Sequence, residues 1–227
     1  VQNLSERLAM TTESAHIYWN MEWQKADATS PWATPEPEVM THTETLKAGS
    51  RILDLGAGIG RHSLAMARLG HDVVALDAAQ ASIDCIADAA QRETLRIETC
   101  LSSMADLPFA DGSFDHVLSW NVIYHGDETV VRRSFSEVAR VLRPGGTFMA
   151  TMLSLRRLPI EQAKAPGREL SPGTWVFEGD GDKVHPHYFC NAVRLVDLLA
   201  GFELWRLEDR EHEKPGSWHW HLLAERL

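Results

Sequence analysis

Hydrophobic and polar positions follow two alternating rhythms along most of the chain. Residues 52–55 and 73–76 are short apolar runs, broken only by Asp54, and between them Leu64, Ala65, Ala67 and Leu69 recur at helical spacing before Gly70. Short apolar runs of this kind predict strands covered on both faces, and the glycine predicts a helix stop. The exchange continues downstream. Ile83, Ile86, Ala87 and Ala90 mark one face of a helix over 80–92, residues 95–101 alternate as a third strand, and 114–120 read as a fourth. Val130, Phe135, Val138 and Leu142 form the inward face of a helix over 129–142, which Arg143-Pro144-Gly145-Gly146 should end. A fifth strand over 147–153, a helix over 191–200 and two final strands over 202–208 and 217–225 complete the series. Strands alternating with helices, closed by a hairpin, predict an α/β doubly wound sheet in one domain spanning residues 1–227.

Two segments depart from that rhythm. Residues 1–29 carry Leu4, Leu8, Ile17 and Met21 at roughly helical spacing, with Thr11-Thr12-Glu13-Ser14 as a break or a cap. A proline loop with Trp32 and a helix over 38–47 follow, so residues 1–45 read as an N-terminal helical cap. Residues 154–188 show no clear period and hold Pro159, Pro166, Pro172 and Pro186 with four glycines. About 35 irregular residues inside a compact domain predict a functional lid, packed through Trp175, Phe177, Tyr188 and Phe189.

The chemistry concentrates where the first strand ends. Gly56-Ala57-Gly58-Ile59-Gly60 allows a tight turn and close approach of a ligand to the backbone, and the following helix N-terminus offers N–H groups. Asp77, closing the second strand, is placed to accept hydrogen bonds from ribose hydroxyls. A dinucleotide site needs a small residue at the position that Arg61 takes. Asp54, two residues before the first glycine, repels a pyrophosphate but suits an ammonium group.

Together Asp54, Gly56, Gly58 and Gly60 make D-x-G-x-G-x-G, which resembles motif I of the class I S-adenosylmethionine-dependent methyltransferases. The resemblance covers roughly residues 46–154. It implies a seven-stranded sheet in the order 3-2-1-4-5-7-6 with the last strand antiparallel. It also implies a glycine turn (with Ala57 and Arg61) against the methionine part of the cofactor, and a ribose held by Asp77 beside Ala78. The segment Leu107-Pro108-Phe109 with Asp111-Gly112-Ser113-Phe114-Asp115 is similar to the family's adenine region. Ser103 stands where an Asp is usual there, which leaves adenine to Ser103 and Met104. Asn121 is positioned to touch the methionine portion.

Tyr124-His125, the His-Tyr-Phe of 187–189 and the tryptophan-bearing last strand resemble the small-molecule branch that includes tellurite- and thiol-type methyltransferases. That branch implies N-terminal aromatics over the cofactor, here Tyr18 and Trp23. His125 is the candidate base, since an imidazole titrates near neutrality. Trp23, Trp32, Tyr124, His125, His187 and Tyr188 are the expected acceptor-pocket residues. An Asn/Asp-Pro-Pro-Tyr type motif is absent after the fourth strand, which argues against DNA amino groups and protein amides as acceptors. A hydroxyl or amine acceptor needing His125, a thiol or metalloid needing no base, and a cofactor-binding protein without transferase activity all remain open.

Composition narrows the setting more than the chemistry. A formal charge of −10, from 22 basic and 32 acidic residues, excludes nucleic acid and anionic membrane as expected partners. No apolar run approaches about 20 residues, and the first residues lack the basic-then-apolar pattern of a signal peptide. Three widely spaced cysteines without C-x-x-C fit a reducing compartment, so the expected location is the cytoplasm. The pairs His185/His187 and His219/His221 lack a carboxylate or cysteine at matching spacing, and no metal is expected.

Overall fold

The structure, a computed structural model, describes residues 14–26, 29–212 and 214–227. The expected helical features over residues 1–13 lie outside the described residues. The chain order is α1 (Ala15–Trp23), a 3-10 turn (Pro31–Ala33), α2 (Pro37–Thr43), β1 (Arg51–Leu55), α3 (Arg61–Arg68), β2 (Asp72–Asp77), α4 (Gln80–Glu93), β3 (Ile97–Leu101), β4 (Phe114–Ser119), α5 (Glu128–Val141) and β5 (Leu142–Ser154). Beyond it come α6 (Leu158–Lys164), β6 (Gly167–Ser171), β7 (Thr174–Phe177), a 3-10 turn (Asp182–Val184), β8 (His187–Cys190), α7 (Ala192–Leu198), β9 (Phe202–Glu211) and β10 (Trp218–Arg226). No helix among the described residues is long and apolar enough to cross a membrane.

The main sheet runs β3-β2-β1-β4-β5-β10-β9, with the first five strands parallel and β10 antiparallel to both β5 and β9. With β9 and β10 counted as the sixth and seventh strands, this is the order 3-2-1-4-5-7-6. Both faces are covered, and the two-residue period of β1 shows how. Leu53 and Leu55 pack with Val131, Phe135 and Val138 of α5, whereas Ile52 packs on the other side with Val39 of α2 and Met66 of α3. Capping follows the sequence: the Asp127 side chain accepts from the Val130 N–H at the start of α5, and Asn191 accepts from Arg194 N–H at the start of α7.

The segment 154–188 is not irregular. It contains α6 and an antiparallel β6-β7-β8 arrangement, and β8 pairs in parallel with the end of β5 through Leu153↔Phe189 and Ser154↔Cys190. β10 takes the other edge of β5, so β8 continues the edge that β4 leaves free after Ser119↔Ala150. The short strands were hidden because β6 is mostly exposed and lacks an apolar alternation. Strand β5 starts at Leu142, five residues before its expected start, because Leu142 pairs with Phe114 across an irregularity in the ladder. Helix α2 ends at Thr43 rather than 47, and β9 runs three residues past 208 along its long partner β10.

Candidate functional site

A cavity of about 660 Å³ opens beyond the carboxyl ends of β1, β2 and β4, where ligands bind in open parallel sheets. Its size is within the usual range for small-molecule sites. At one end it is lined by Gly56, Ala57, Gly58, Asp77, Ala78, Ser103 and Met104; at the other by Asn121, Tyr124, His125, Arg157, Asp182, Lys183 and His219. Tyr18, Trp19, Trp23 and Trp32 lie along it as a cover, with Arg61 and His62 below.

The glycine turn works by close approach. Gly56, Gly58 and Gly60 all have positive φ, and a Cβ on Gly56 would lie 2.3 Å from the Val122 side chain. A Cβ on Gly58 would stand 3.1 Å from the Trp23 ring. The turn's N–H groups, by contrast, are largely used within the protein. Gly56 and Ala57 donate to Leu76 O, Gly60 donates to Ala57 O, and Gly58 donates to Asp77 Oδ2 at 2.8 Å. Asp77 Oδ1 accepts from Ala79 N–H at 2.9 Å. Burial pushes the Asp77 carboxyl above its ordinary range even with those hydrogen bonds.

Asn121 is one of two non-glycine residues with positive φ among those described, at +63°. Asn tolerates this conformation better than most residues. Its backbone N–H donates to Thr151 Oγ1 at 2.8 Å, which fixes the turn where β4 gives way to the cavity wall. Such outliers gather at functional sites.

Four predicted residues do not line the cavity. Asp54 is 2% exposed, faces α3 and accepts from Ser63 Oγ at 2.6 Å, and burial pushes its carboxyl up to about 6. It braces the turn through Ser63 at the start of α3. Gly60 caps α3 and lies against Ile86. Tyr188 is wholly buried within the main core, and His187, also wholly buried, stands behind the wall. Arg61 does reach the cavity, but its guanidinium is engaged: it pairs with Glu36 at 3.0 Å, donates to Thr34 O and lies over the Trp32 ring. It thereby ties the proline loop to the glycine turn.

Beside these stand residues that sequence reasoning missed. Trp19 stacks on Trp23 with ring centroids 4.8 Å apart and meets the Trp32 ring edge-on at 5.6 Å. Its four-residue spacing from Trp23 was the available signal. The indole nitrogens of Trp19 and Trp120 and Nε2 of His125 are buried and have no hydrogen-bond partner. Three unpartnered polar atoms on residues that line one cavity are what a ligand with matching groups would satisfy. Asp182 had no signal at all, since Gly179-Asp180-Gly181-Asp182 reads as a turn.

At the far end of the cavity, Asp182 Oδ2 lies 3.9 Å from His125 Nε2 and 3.2 Å from His187 Nε2, while Lys183 Nζ is 3.4 Å from Oδ1. Burial alone would raise the Asp182 carboxyl; the facing imidazoles and Lys183 outweigh it and hold it well below the usual range. Arg157 Nε donates to Glu161 at 2.7 Å and its Nη1 is 3.1 Å from His219 Nε2. Burial holds His219 at about 2 and His62 at about 3, so both are neutral at pH 7.

Residues 52–146 match a family model described as a methyltransferase domain. The chain is 38% identical over 119 residues to a demethylmenaquinone methyltransferase of Clavibacter sepedonicus, covering 50% of this chain and 45% of that protein. It is 35% identical over 176 residues to a ubiquinone biosynthesis O-methyltransferase of Cereibacter sphaeroides, covering 77% of this chain and 68% of that protein. The match to the first of these thus spans under half of the relative's length. Among solved structures, an S-adenosylmethionine-dependent methyltransferase of Methanosarcina mazei superposes with a TM-score of 0.71 at 22% identity, over 86% of this chain and 99% of that one.

Proposed function

The chain belongs to the class I S-adenosylmethionine-dependent methyltransferases, and we propose that it methylates a small molecule whose reacting oxygen or sulfur is anionic at the moment of transfer. The observation that carries this reading is the charge at the far end of the cavity. There Arg157, Lys183 and Lys214 line the wall with Asp182, and with the Glu161 that pairs with Arg157 the three cations meet two carboxylates, in a protein whose overall charge is strongly negative. Such a local field favours an anion over a neutral or cationic acceptor.

When bound, S-adenosylmethionine supplies an electrophilic methyl group on a sulfonium, and displacement there needs chiefly alignment and exclusion of water. In this reading Gly56, Ala57, Gly58, Asp77, Ala78, Ser103 and Met104 hold the donor, with Asn121 at its methionine end and Tyr18 above it. Trp19, Trp23 and Trp32 exclude water from one side, and the segment 154–188 does so from the other. Tyr124 and His125 face the acceptor, and His125 Nε2 is the group placed to take its proton, with Asp182 beside it to hold the resulting charge. His187 and Tyr188 support that wall from behind.

The test is an acceptor panel with S-adenosylmethionine carrying a deuterated methyl group: quinols and phenols, as the named relatives suggest, then thiols, then tellurite and arsenite. Mass spectrometry should find the labelled product and S-adenosylhomocysteine with an acid-prone hydroxyl or thiol. Binding of S-adenosylmethionine without turnover on any member would favour a cofactor-binding protein instead. Turnover confined to amines would overturn the anionic acceptor.

A further inference from the structure

The geometry points to a divalent-cation site of the zinc type formed by His125, Asp182 and His187, with its open positions facing the acceptor end of the cavity. Asp182 Oδ2 is 3.9 Å from His125 Nε2 and 3.2 Å from His187 Nε2, and the three donor atoms all lie within 4.8 Å of one another. A tetrahedral ion with bonds of about 2.0–2.1 Å holds its donors roughly 3.3–3.4 Å apart, so small side-chain rotations close the set around one ion.

Two observations favour a cation here over a network of hydrogen bonds alone. His187 Nδ1 lies 2.8 Å from the His185 carbonyl oxygen. A carbonyl only accepts, so Nδ1 carries the proton, and the ring is held with Nε2 turned to the Asp182 carboxylate at 3.2 Å. A metal-ligating histidine is commonly held in this way, by its other nitrogen donating to a backbone carbonyl. The second observation is His125 itself, whose side chain is only 10% exposed and whose buried Nε2 has no hydrogen-bond partner. It faces the same oxygen.

The backbone builds the set from distant parts of the chain. Gly126 N–H donates to Pro186 O, Tyr188 N–H donates to Tyr124 O, and His125 and His187 are bridged between them. Asp182 arrives from the 3-10 turn just before β8. Lys183 pairs with Oδ1 of Asp182, which leaves Oδ2 for the cation. Two imidazoles and one carboxylate suit zinc or a similar first-row ion over calcium or magnesium. His125 and Asp182 line the cavity whereas His187 lies behind it, so the vacant positions are those an acceptor atom or water would take. That makes the site of the open, catalytic kind.

One consequence rests on the methyl-transfer reading. A cation held there would occupy the Nε2 lone pair of His125, so in the loaded protein the ion would replace His125 in promoting loss of the acceptor's proton, which would pass to solvent. The acceptor's electron pair would then bond to the methyl carbon as the C–S bond electrons return to sulfur.

The test is calorimetric titration of chelator-dialysed protein with Zn2+, and with Co2+ followed by visible absorbance. Binding of S-adenosylhomocysteine is measured in parallel. Wild type should take one equivalent of Zn2+ and show the visible bands of four- or five-coordinate Co2+. Asp182→Asn and His125→Gln should each weaken Zn2+ on the order of 100-fold or more, while still binding S-adenosylhomocysteine. His212→Gln, in the neighbouring histidine cluster, should leave Zn2+ affinity unchanged. No bound equivalent in wild type, unchanged affinity in both ligand variants, or loss only in His212→Gln overturns the site. If S-adenosylhomocysteine fails to bind while Zn2+ does, the donor reading falls and the cation site stands.

Discussion

Gly58 N–H donates to the Asp77 carboxylate at 2.8 Å across the mouth of the cavity. One residue therefore both shapes the glycine turn and presents its charge to a ligand. Asp77→Asn keeps the size but turns one oxygen into a donor facing an N–H. Hydrogen bonds to a charged group contribute about 1.5–3 kcal/mol, so S-adenosylmethionine affinity should fall about 10- to 100-fold by calorimetry. An affinity within twofold of wild type would show that Asp77 has no part in donor binding.

Gly56→Ala should destabilise the protein through two separable terms. Left-handed backbone costs a residue with Cβ about 1–2 kcal/mol, and the new Cβ would lie 2.3 Å from Val122, an overlap costing about 1–3 kcal/mol. Urea denaturation should show the sum. Adding Val122→Ala should recover the second part and leave the first. Full recovery would mean that the backbone is not strained there.

Arg61→Lys keeps the charge but loses the planar fork that joins Glu36, Thr34 O and the Trp32 ring. The proline loop should loosen, seen as faster proteolysis before α2 and as red-shifted tryptophan emission, with donor affinity down roughly 3- to 10-fold, or about 1 kcal/mol. Emission and cleavage identical to wild type would separate Arg61 from the cover.

Acid should act through Glu38, which joins α2 to the terminal hairpin through Arg206, Arg210 and His221. Burial opposes ionisation of its carboxyl, but the His221 hydrogen bond and the two guanidinium charges prevail and hold it at about 2, against an ordinary 4.5. The folded state thus binds fewer protons than the unfolded state between those values. The stabilisation is complete above about pH 4.5 and disappears as pH falls through about 2. Glu38→Gln should cost about 1–3 kcal/mol at pH 7, and the gap should close toward pH 2 in urea melts. A gap independent of pH would place the loss in packing.

Much of the fold was legible because its signals are local. Apolar runs at 52–55 and 73–76, the helical spacing of 80–92 and 129–142, and the punctuation at Gly70 and Pro144 each reflect a periodicity that one element imposes by itself. The short β6-β7-β8 strands were not legible, because the exposed β6 needs no apolar alternation and β8, at four residues, is fixed by its pairing with the distant end of β5. Within the site, Asp77 and the glycines followed from their place at strand ends. Asp54 matched the motif, yet it turns to Ser63 and away from the cavity, since D-x-G spacing fixes a position and not a side-chain direction.

The sequence by itself determined the βαβ turn, the sheet that carries it and the family to which the chain belongs, since strand–turn–helix chemistry is written within about 30 consecutive residues. Only the tertiary structure decided what faces the turn. His125, Asp182 and His187 meet because the loop after β4 pairs with β8 at the edge that β4 leaves free, and Trp23, with Trp19 stacked on it, meets Gly58 because α1 folds back over the turn. Those contacts depend on pairings between segments 57 or more residues apart for His125 and Asp182, and neither spacing nor composition records such pairings.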